Sequence, residues 1–369
     1  MDQEFTHVVC DPVRIGTRAG HERDTLDWTG REVARLLSLD YAGTADAGDA
    51  ARPGRRCFHV PDDTLTRAQA EALGIHDGDQ LFGGIVPFAF VATKVVSHPL
   101  VRPGTVAAEG WCDSLGEALK GATVPGYVAF DRAAAMEAFH RLRASGPVRL
   151  KLPEGIGGLG QWLIGDAGDL AGRLAGLDDA AIVQQGIVLE LHVHDACTLS
   201  VGEVALGCQR IAYHGTQRTV RDAAGREVYG GSDLWVQRGG LDSLLDAPLD
   251  ALQREAVVKA GLYDRLVLAA YPETCASRRN YDLVSGRGND GVRLGGVLEQ
   301  SWRVGGATPA ELAALEYLRA HPSVQAVRAS TGELHDATPP PPGAEVFYTA
   351  APGTEGPRCK FRTCIAEAG

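Results

Sequence analysis

The sequence predicts a protein that combines the α/β and α+β classes, with a parallel sheet at the N-terminus and antiparallel strands after it. Over residues 6–95, short apolar strand candidates alternate with helical segments, which is typical of a parallel sheet. Residues 147–166 have the pattern of two strands joined by a glycine-rich turn. Residues 280–304 contain two more strand candidates around the turn sequence GRGNDG.

The N-terminal region offers three strand candidates separated by helices. The strands are expected at residues 6–15, 57–63 and 85–94. Residues 21–39 carry apolar positions at helical spacing, and Thr66 with Gln69 forms a capping box that opens a second helix. Strands that alternate with helices predict an α/β domain over residues 1–95.

The rest of the chain is expected to form α+β layers. Helices are predicted at residues 133–146, 249–271 and, after a start signal of Thr308, Pro309 and Glu311, 308–321. Further strands are predicted at residues 187–194 and 198–207, and we expect these two to pair with each other.

Bulk composition limits the classes of function. The 369 residues are 44% hydrophobic and 22% charged, which suits a globular chain of two or three domains. A net charge of -11 without a basic stripe argues against nucleic-acid binding. No apolar run is long enough to span a bilayer, and the start lacks the pattern of a secretory signal. With eight scattered cysteines that lack metal spacing, we expect a cytoplasmic protein with reduced thiols.

The first group of candidate functional residues is a lysine beside a glycine-rich turn. Lys151 ends a strand candidate just before Gly155, Gly157, Gly158 and Gly160. Backbone N–H groups of such a turn can bind phosphate oxygens, and the lysine adds a point charge. The alternative is a hairpin whose glycines only provide positive φ angles.

The second group is a pair of carboxylates on adjacent strand candidates. Asp282 and Glu299 could face one cavity and hold magnesium through oxygen ligands. Strand alternation would direct Ser301 and Arg303 to the same side as Glu299. The alternative is a surface strand with solvated charges, but the apolar Val297 and Leu298 favour a strand that is at least half buried.

Taken in order, these groups resemble the ATP-grasp superfamily. The segments FVATK, YHGTQR, YGGSD, SRRNYD and LEQSWRVGGA are similar to those of a bacterial family of unassigned function, whose members are sometimes labelled biotin-carboxylase-like. The similarity spans nearly the whole chain. It implies an ATP-grasp fold with a pre-ATP-grasp domain at 1–95, a lid subdomain with the glycine hairpin at 96–185, and a C-terminal subdomain with the metal site at 186–369.

The resemblance also implies roles for individual residues. ATP would be bound by Lys94, Lys151, Gly157, Gly158, Glu190, Leu191 and Val193. Magnesium would be bound by Asp282, Glu299 and Ser301, although the superfamily usually has asparagine at the serine position, so one metal ion is expected. Arg303 would steady the substrate carboxylate or its acyl phosphate, and with Lys151 it forms the expected catalytic pair.

Substrate contacts are expected from two segments rich in donors. In YHGTQR, His214, Gln217 and Arg218 could reach substrate or the γ-phosphate, or could be a solvated hairpin. Arg278 and Arg279 could clamp a carboxylate, but neighbouring strand residues normally point to opposite faces. The residues expected to contact substrate are therefore His214, Arg218, Arg279 and Arg303.

The implied activity is ligation of a carboxylate to an amine or another nucleophile, with ATP and magnesium as cofactors. The reaction would pass through an acyl phosphate and release ADP and phosphate. The partners would be small-molecule or short-peptide carboxylates and amines, without nucleic acid or membrane, and a homodimer stays open. Two alternatives remain: a nucleotide-binding regulatory protein without turnover, and an ATP-grasp carboxylase or kinase.

Overall fold

A three-stranded parallel sheet forms the N-terminal unit in the computed structural model, which describes residues 5–14, 20–45, 56–153, 160–222, 224–351 and 355–366. Its elements are β1 (His7–Asp11), α1 (Gly20–Leu37), β2 (Asp40–Thr44) and β3 (Cys57–Pro61). The strand order is β2-β1-β3, and both pairings are parallel, as the sequence pattern predicts. The sequence does not predict strand β2, because DYAGT lacks an alternation of apolar and polar residues. In the structure, none of its residues is buried.

The segment after β3 leads from the N-terminal sheet into the core with little regular structure. It contains β4 (Leu65–Thr66), α2 (Arg67–Ala72) and β5 (Gly84–Val86). The capping box of Thr66 and Gln69 is confirmed. The strand predicted at 85–94 is largely wrong, because after β5 the chain forms two 3₁₀ turns, Ala89–Ala92 and Lys94–Ser97. Their valines and Phe90 are buried, and a short apolar run does not distinguish a strand from such turns.

A small antiparallel sheet follows, with helices packed against it. Its order is β6-β9-β7-β8, and Lys151 lies opposite Gln161 in the predicted hairpin, whose turn, with Gly157 and Gly158, lies outside the described residues. The elements are α3 (Asp113–Ala118), β6 (Gly126–Ala129), α4 (Arg132–Arg143), β7 (Val148–Lys151), β8 (Gln161–Ile164), α5 (Ala167–Ala175), α6 (Asp179–Gln185) and β9 (Ile187–Leu191).

An eight-stranded antiparallel sheet forms the largest part of the molecule, in the order β15-β14-β10-β11-β12-β16-β18-β17. Helix α7 packs on one face and α8 on the other. Strand β13 instead pairs with β5. The elements are β10 (His194–Leu206), β11 (Gln209–Arg221), β12 (Glu227–Arg238), α7 (Ala251–Ala270), β13 (Cys275–Ala276), β14 (Arg278–Arg287), β15 (Arg293–Ser301), α8 (Thr308–Ala320), β16 (Ala326–Leu334), β17 (Glu345–Thr349) and β18 (Cys359–Ala366).

Strands β9 and β10 belong to different sheets, so the predicted pairing between residues 187–194 and 198–207 is wrong. Strand β9 pairs with β6 and β7 in the small sheet, whereas β10 pairs with β11 and β14 in the large one. The chain crosses between the sheets at residues 191–194, which we call the hinge. Both strands are apolar, and their pattern does not identify the partner strand.

Helix α8 begins where the sequence predicts, but without the predicted capping box. Thr308 is the first helical residue, and its hydroxyl accepts a hydrogen bond from the Gly305 N–H at 3.0 Å. Glu311 is fully buried and binds Arg278 instead of the helix terminus. A tertiary ion pair has therefore replaced the local cap. Within the described ranges, no helix combines the length and apolar character needed to cross a membrane.

Candidate active site

Asp282 and Glu299 lie directly opposite each other on the neighbouring strands β14 and β15. A bulge follows this pair, since Leu283 lies opposite Val297 and leaves Leu298 without a partner. Asn280 and Gln217 both donate hydrogen bonds to Oδ1 of Asp282, at 2.8 and 2.6 Å. Burial raises the pKa of Asp282 to about 6, and the adjacent Glu299 carboxylate adds to the rise. A cation between these two carboxylates would offset both effects.

Lys94 connects the acidic pair to the small sheet. Its side chain is buried, and its Nζ atom lies 2.8 Å from Oε2 of Glu299. The same ammonium donates to the backbone carbonyls of Leu152 and Pro153, at 3.4 and 3.3 Å. These two residues follow Lys151 directly, so Lys94 brings the end of β7 beside the end of β15.

Lys151 and Glu190 form a buried ion pair between β7 and β9. The distance from Lys151 Nζ to Glu190 Oε1 is 2.5 Å, and both side chains are about 4% exposed. Burial raises the pKa of the Glu190 carboxyl, but the Lys151 charge and His98 outweigh it, and the pKa falls below its usual range. The predicted residues Lys94, Lys151, Glu190 and Glu299 thus form one connected group of charges where the two sheets meet, and we call this junction the crevice.

The hinge forms one wall of this crevice. The Leu191 N–H donates to the Pro125 carbonyl at 2.9 Å, and the His192 N–H donates to the Pro147 carbonyl at 2.8 Å. Val193 is buried against Val124 and Val284. The hinge is therefore held by residues just before β6 and β7 of the small sheet and by β14 of the large sheet.

Arg303 lies between the acidic strand pair and the N-terminal unit. Ser301 ends β15 on the Glu299 face, and Arg303 follows outside the strand. The Nε atom of Arg303 is 3.7 Å from Oδ1 of Asp63, just beyond the carboxyl end of β3. Burial lowers the pKa of Arg303, which is partly offset by Asp63. Arg303 thus joins the end of β15 in the large sheet to the segment that follows the N-terminal sheet.

A buried polar network contacts the side chain of Asp282 and the backbone of Arg303. Arg278 donates to both oxygens of Glu311, at 2.8 and 2.7 Å, and also to the carbonyls of Ser301 and Arg303. The Tyr213 hydroxyl lies 2.6 Å from Glu311 Oε1 and 2.9 Å from Asn280 Oδ1, and Asn280 in turn bonds Asp282. Sequence reasoning missed Tyr213 and Asn280. The two-residue spacing of Asn280 from Asp282 on a strand was the available signal.

Three predicted substrate residues do not join this group. Arg279 lies on the opposite face of the sheet and pairs with Asp264 and Glu203, at 2.8 and 2.6 Å. His214 also faces away, and its buried ring stacks on Trp235 with centroids 5.4 Å apart. Arg218 pairs with Asp233 and donates to the Thr331 carbonyl at 3.1 Å. Strand alternation explains these placements, because each of these residues adjoins one that faces the crevice. From the YHGTQR segment, Gln217 reaches Asp282 instead.

Comparison with protein families assigns the chain. The model of a family described as protein of unknown function, DUF3182, matches residues 9–362. The chain belongs to the DUF3182 family. A search of curated proteins finds no significant match to this DUF3182 sequence.

Solved structures show the fold of this DUF3182 protein. The biotin carboxylase domain of 2-oxoglutarate carboxylase from Hydrogenobacter thermophilus, in complex with MgADP, ADP and bicarbonate, matches with a TM-score of 0.53 at 12% identity, covering 99% of this chain and 87% of that one. Biotin carboxylase from Campylobacter jejuni matches at 0.55 and 10% identity, covering 98% and 88%. N5-carboxyaminoimidazole synthetase from Staphylococcus aureus, complexed with ADP, matches at 0.53 and 10%, covering 99% and 94%. The predicted ATP-grasp fold is confirmed.

Proposed function

We propose that this DUF3182 protein is an ATP- and magnesium-dependent ligase that joins a carboxylate to an amine through an acyl phosphate. One observation carries the proposal: two lysines and two carboxylates from four separate segments line the same crevice. Lys94 contacts Glu299 and the backbone beside Lys151, and Lys151 contacts Glu190. A crevice with cations along its length and an acidic pair at one end suits a nucleotide triphosphate with its metal.

We infer one direction for ATP in this crevice. Lys94 and Lys151 would bind the phosphates, and the hinge around Leu191 and Val193, with Glu190, would bind the base. Gly157 and Gly158 would cover the phosphates from the hairpin. Three proteins of the same fold, two of them crystallised with ADP, support an adenine nucleotide as the ligand.

Magnesium fits the acidic end of the crevice. Asp282 and Glu299, with Ser301 beside them, offer the oxygen ligands that this ion prefers. The described part of the chain contains no group of three or more His, Cys, Asp or Glu side chains placed for a metal. The remaining ligands would therefore be phosphate oxygens and water, as is usual for magnesium. When bound, the ion supplies neutralisation of phosphate charge.

The protein's own contribution to the reaction is positioning and charge stabilisation. A substrate carboxylate oxygen attacks the γ-phosphorus, the bond to the β-phosphate oxygen breaks, and ADP leaves. Arg303 would hold the carboxylate during this step. An amine then attacks the acyl carbon, phosphate leaves with the former carboxylate oxygen, and the amine proton passes to solvent. Closure of the hairpin would exclude water from the acyl phosphate.

Release of ADP and phosphate tests this proposal. Purified protein is incubated with ATP and Mg²⁺ against panels of carboxylates, including bicarbonate and amino acids, with and without amines. We expect ADP release that depends on both a carboxylate and an amine. With an ¹⁸O-labelled carboxylate, the label should appear in the phosphate product.

The same measurement separates the alternatives. A kinase would release ADP without labelled phosphate, and a carboxylase would require bicarbonate. A regulatory protein would bind nucleotide without turnover on any pair. Absence of ADP binding and of turnover would refute the proposed site altogether.

A further inference from the structure

His98 is a buried histidine that faces Glu190 from the turn that also carries Lys94. It follows the 3₁₀ turn Lys94–Ser97 directly, and it is 1% exposed. Its Nε2 atom lies 3.4 Å from Oε2 of Glu190. One short turn therefore contacts both ends of the crevice, through Lys94 at Glu299 and through His98 at Glu190.

Gly126 makes this approach of His98 to Glu190 possible. It lies directly opposite Glu190 in the pairing of β6 with β9. A Cβ atom at this position would lie 2.9 Å from Cε1 of His98 and 3.0 Å from Cβ of Glu190. It would also lie 2.8 Å from the Leu189 carbonyl oxygen, so a larger residue would disturb both the strand pairing and the approach of the imidazole to the carboxylate.

The polar atoms at this contact are only partly satisfied. Both ring nitrogens of His98 and Oε2 of Glu190 are buried without a hydrogen-bond partner among the described residues. A buried donor or acceptor that is left unpaired destabilises the fold, because it loses its hydrogen bonds to water and gains none in return. His98 Nε2 and Glu190 Oε2, 3.4 Å apart, are therefore available to each other for a shorter hydrogen bond.

The Lys151 ammonium has two possible partners, Glu190 and the nucleotide phosphates. It now pairs with Glu190 at 2.5 Å, and in the proposed function it binds the nucleotide phosphates. Once Lys151 turns to the phosphates, Glu190 would become a buried carboxylate without its counter-charge, which is strongly unfavourable. Among the described residues of β7, Arg149 also carries a positive charge, and its guanidinium lies 3.2 Å from His192 Nδ1.

We propose that His98 is a positioning residue, which donates a hydrogen bond to Glu190 and holds its carboxylate in place when Lys151 turns to the nucleotide. The inference rests on the proposed nucleotide site and adds a residue that the family resemblance did not supply. His98 touches neither nucleotide nor substrate in this role. It acts through Glu190, so its effect belongs to nucleotide affinity and not to the chemical step.

ADP binding by calorimetry tests this role in five variants, one of which combines His98→Phe with Glu190→Gln. His98→Phe keeps the ring size without a donor, and we expect an increase in the ADP dissociation constant of about tenfold or more. His98→Gln retains a donor and should restore the dissociation constant to within about threefold of wild type. The effect of His98→Phe should vanish in a Glu190→Gln background, because a residue that acts through Glu190 loses its target. Ser97→Ala is the matched control, since Ser97 is buried on the same turn but bonds Tyr263 at 2.8 Å.

The outcomes are distinguishable. If wild type binds no adenine nucleotide, the proposed function fails and the role of His98 with it. If wild type binds ADP and His98→Phe binds it equally well, only the role of His98 is refuted. If His98→Phe and Ser97→Ala weaken binding equally, or the His98→Phe effect persists in Glu190→Gln, then the histidine is a packing residue and the inference is wrong. Thermal unfolding of each variant shows that the protein compared is folded.

Discussion

Glu299 lies opposite Asp282 across two strands, and its carboxylate contacts the Lys94 ammonium at 2.8 Å. This contact joins the large sheet to a turn that belongs to neither sheet. Lys94 also donates to the carbonyls of Leu152 and Pro153, just after Lys151. A change in the charge of Glu299 would therefore alter the contacts of Lys94 on both sides of the crevice.

Glu299→Gln should abolish magnesium-dependent ATP turnover. The amide removes the charge that would bind the cation and also the partner of Lys94. Loss of an outer-shell partner costs 10–100-fold in metal affinity or activity, so loss of a direct ligand should cost on the order of 100-fold or more. Activity is measured as ADP release over a range of Mg²⁺ concentrations.

Glu255→Gln is the control for this variant. Glu255 lies on α7 and pairs with Lys259 and Arg293 at the surface, at 2.9 Å in both cases. Its loss should leave turnover unchanged, since exposed pairs contribute little. Both variants should unfold at nearly the wild-type temperature. Normal turnover in Glu299→Gln would remove the assigned metal site.

Gln217→Ala should weaken magnesium binding without abolishing turnover. Gln217 donates to Asp282 at 2.6 Å and to the Ser200 hydroxyl at 2.8 Å, so it orients a proposed ligand. We expect the Mg²⁺ concentration for half-maximal activity to rise about 10- to 100-fold. Gln237→Ala serves as the comparison. Gln237 lies on β12 and donates to the Ser243 hydroxyl, away from the crevice. An identical Mg²⁺ dependence in both variants would contradict the role of Gln217.

Glu311→Gln should destabilise the fold strongly. Glu311 is fully buried and accepts two hydrogen bonds from the Arg278 guanidinium. Breaking a buried pair leaves an uncompensated charge, which costs about 3–5 kcal/mol. The free energy of unfolding from denaturant titration measures this loss. Glu117→Gln is the control, because Glu117 pairs with Lys120 at the surface and both side chains are about 60% exposed. This variant should change the free energy of unfolding by less than about 1 kcal/mol. Equal losses would show that the buried network is not needed.

His214 should make the fold sensitive to mild acid. Burial lowers the pKa of His214 from 6.5 to about 4, with Arg328 acting in the same direction and Asp250 against it. The unfolded chain binds this proton near pH 6.5, so the contribution of His214 to stability is complete above that pH and is lost as the pH falls through about 4. Between pH 7.5 and pH 5 the loss should be about 2 kcal/mol.

His214→Phe should remove this part of the pH dependence, because phenylalanine can stack on Trp235 without binding a proton. Unfolding free energies at the two pH values, for wild type and variant, measure the difference. His140→Phe is the control, since His140 is exposed on α4. A wild-type slope that persists in His214→Phe would assign the acid sensitivity to other groups.

Much of the candidate site was predictable because it depends on local patterns. Two strands around a tight turn placed Asp282 and Glu299 on adjacent strands, and β14 and β15 have this arrangement. The hairpin after Lys151 was readable in the same way. In contrast, Arg279 and His214 were assigned to the substrate, although alternation turns them to the other face of the sheet. A one-residue difference decides the face, and the sequence alone did not show which residue of each pair faces the crevice.

By itself, the sequence determined most element types, the α/β start, two antiparallel hairpins and the residue types able to bind phosphate and metal, because these follow from local periodicity and turn chemistry. Only the tertiary structure decided which strands meet. It separated β9 from β10, gave Glu311 to Arg278 instead of its own helix, and brought Lys94 and His98 from one turn to opposite ends of the crevice. These are contacts between residues far apart in the chain, and their energies depend on burial and on partners that no local pattern contains.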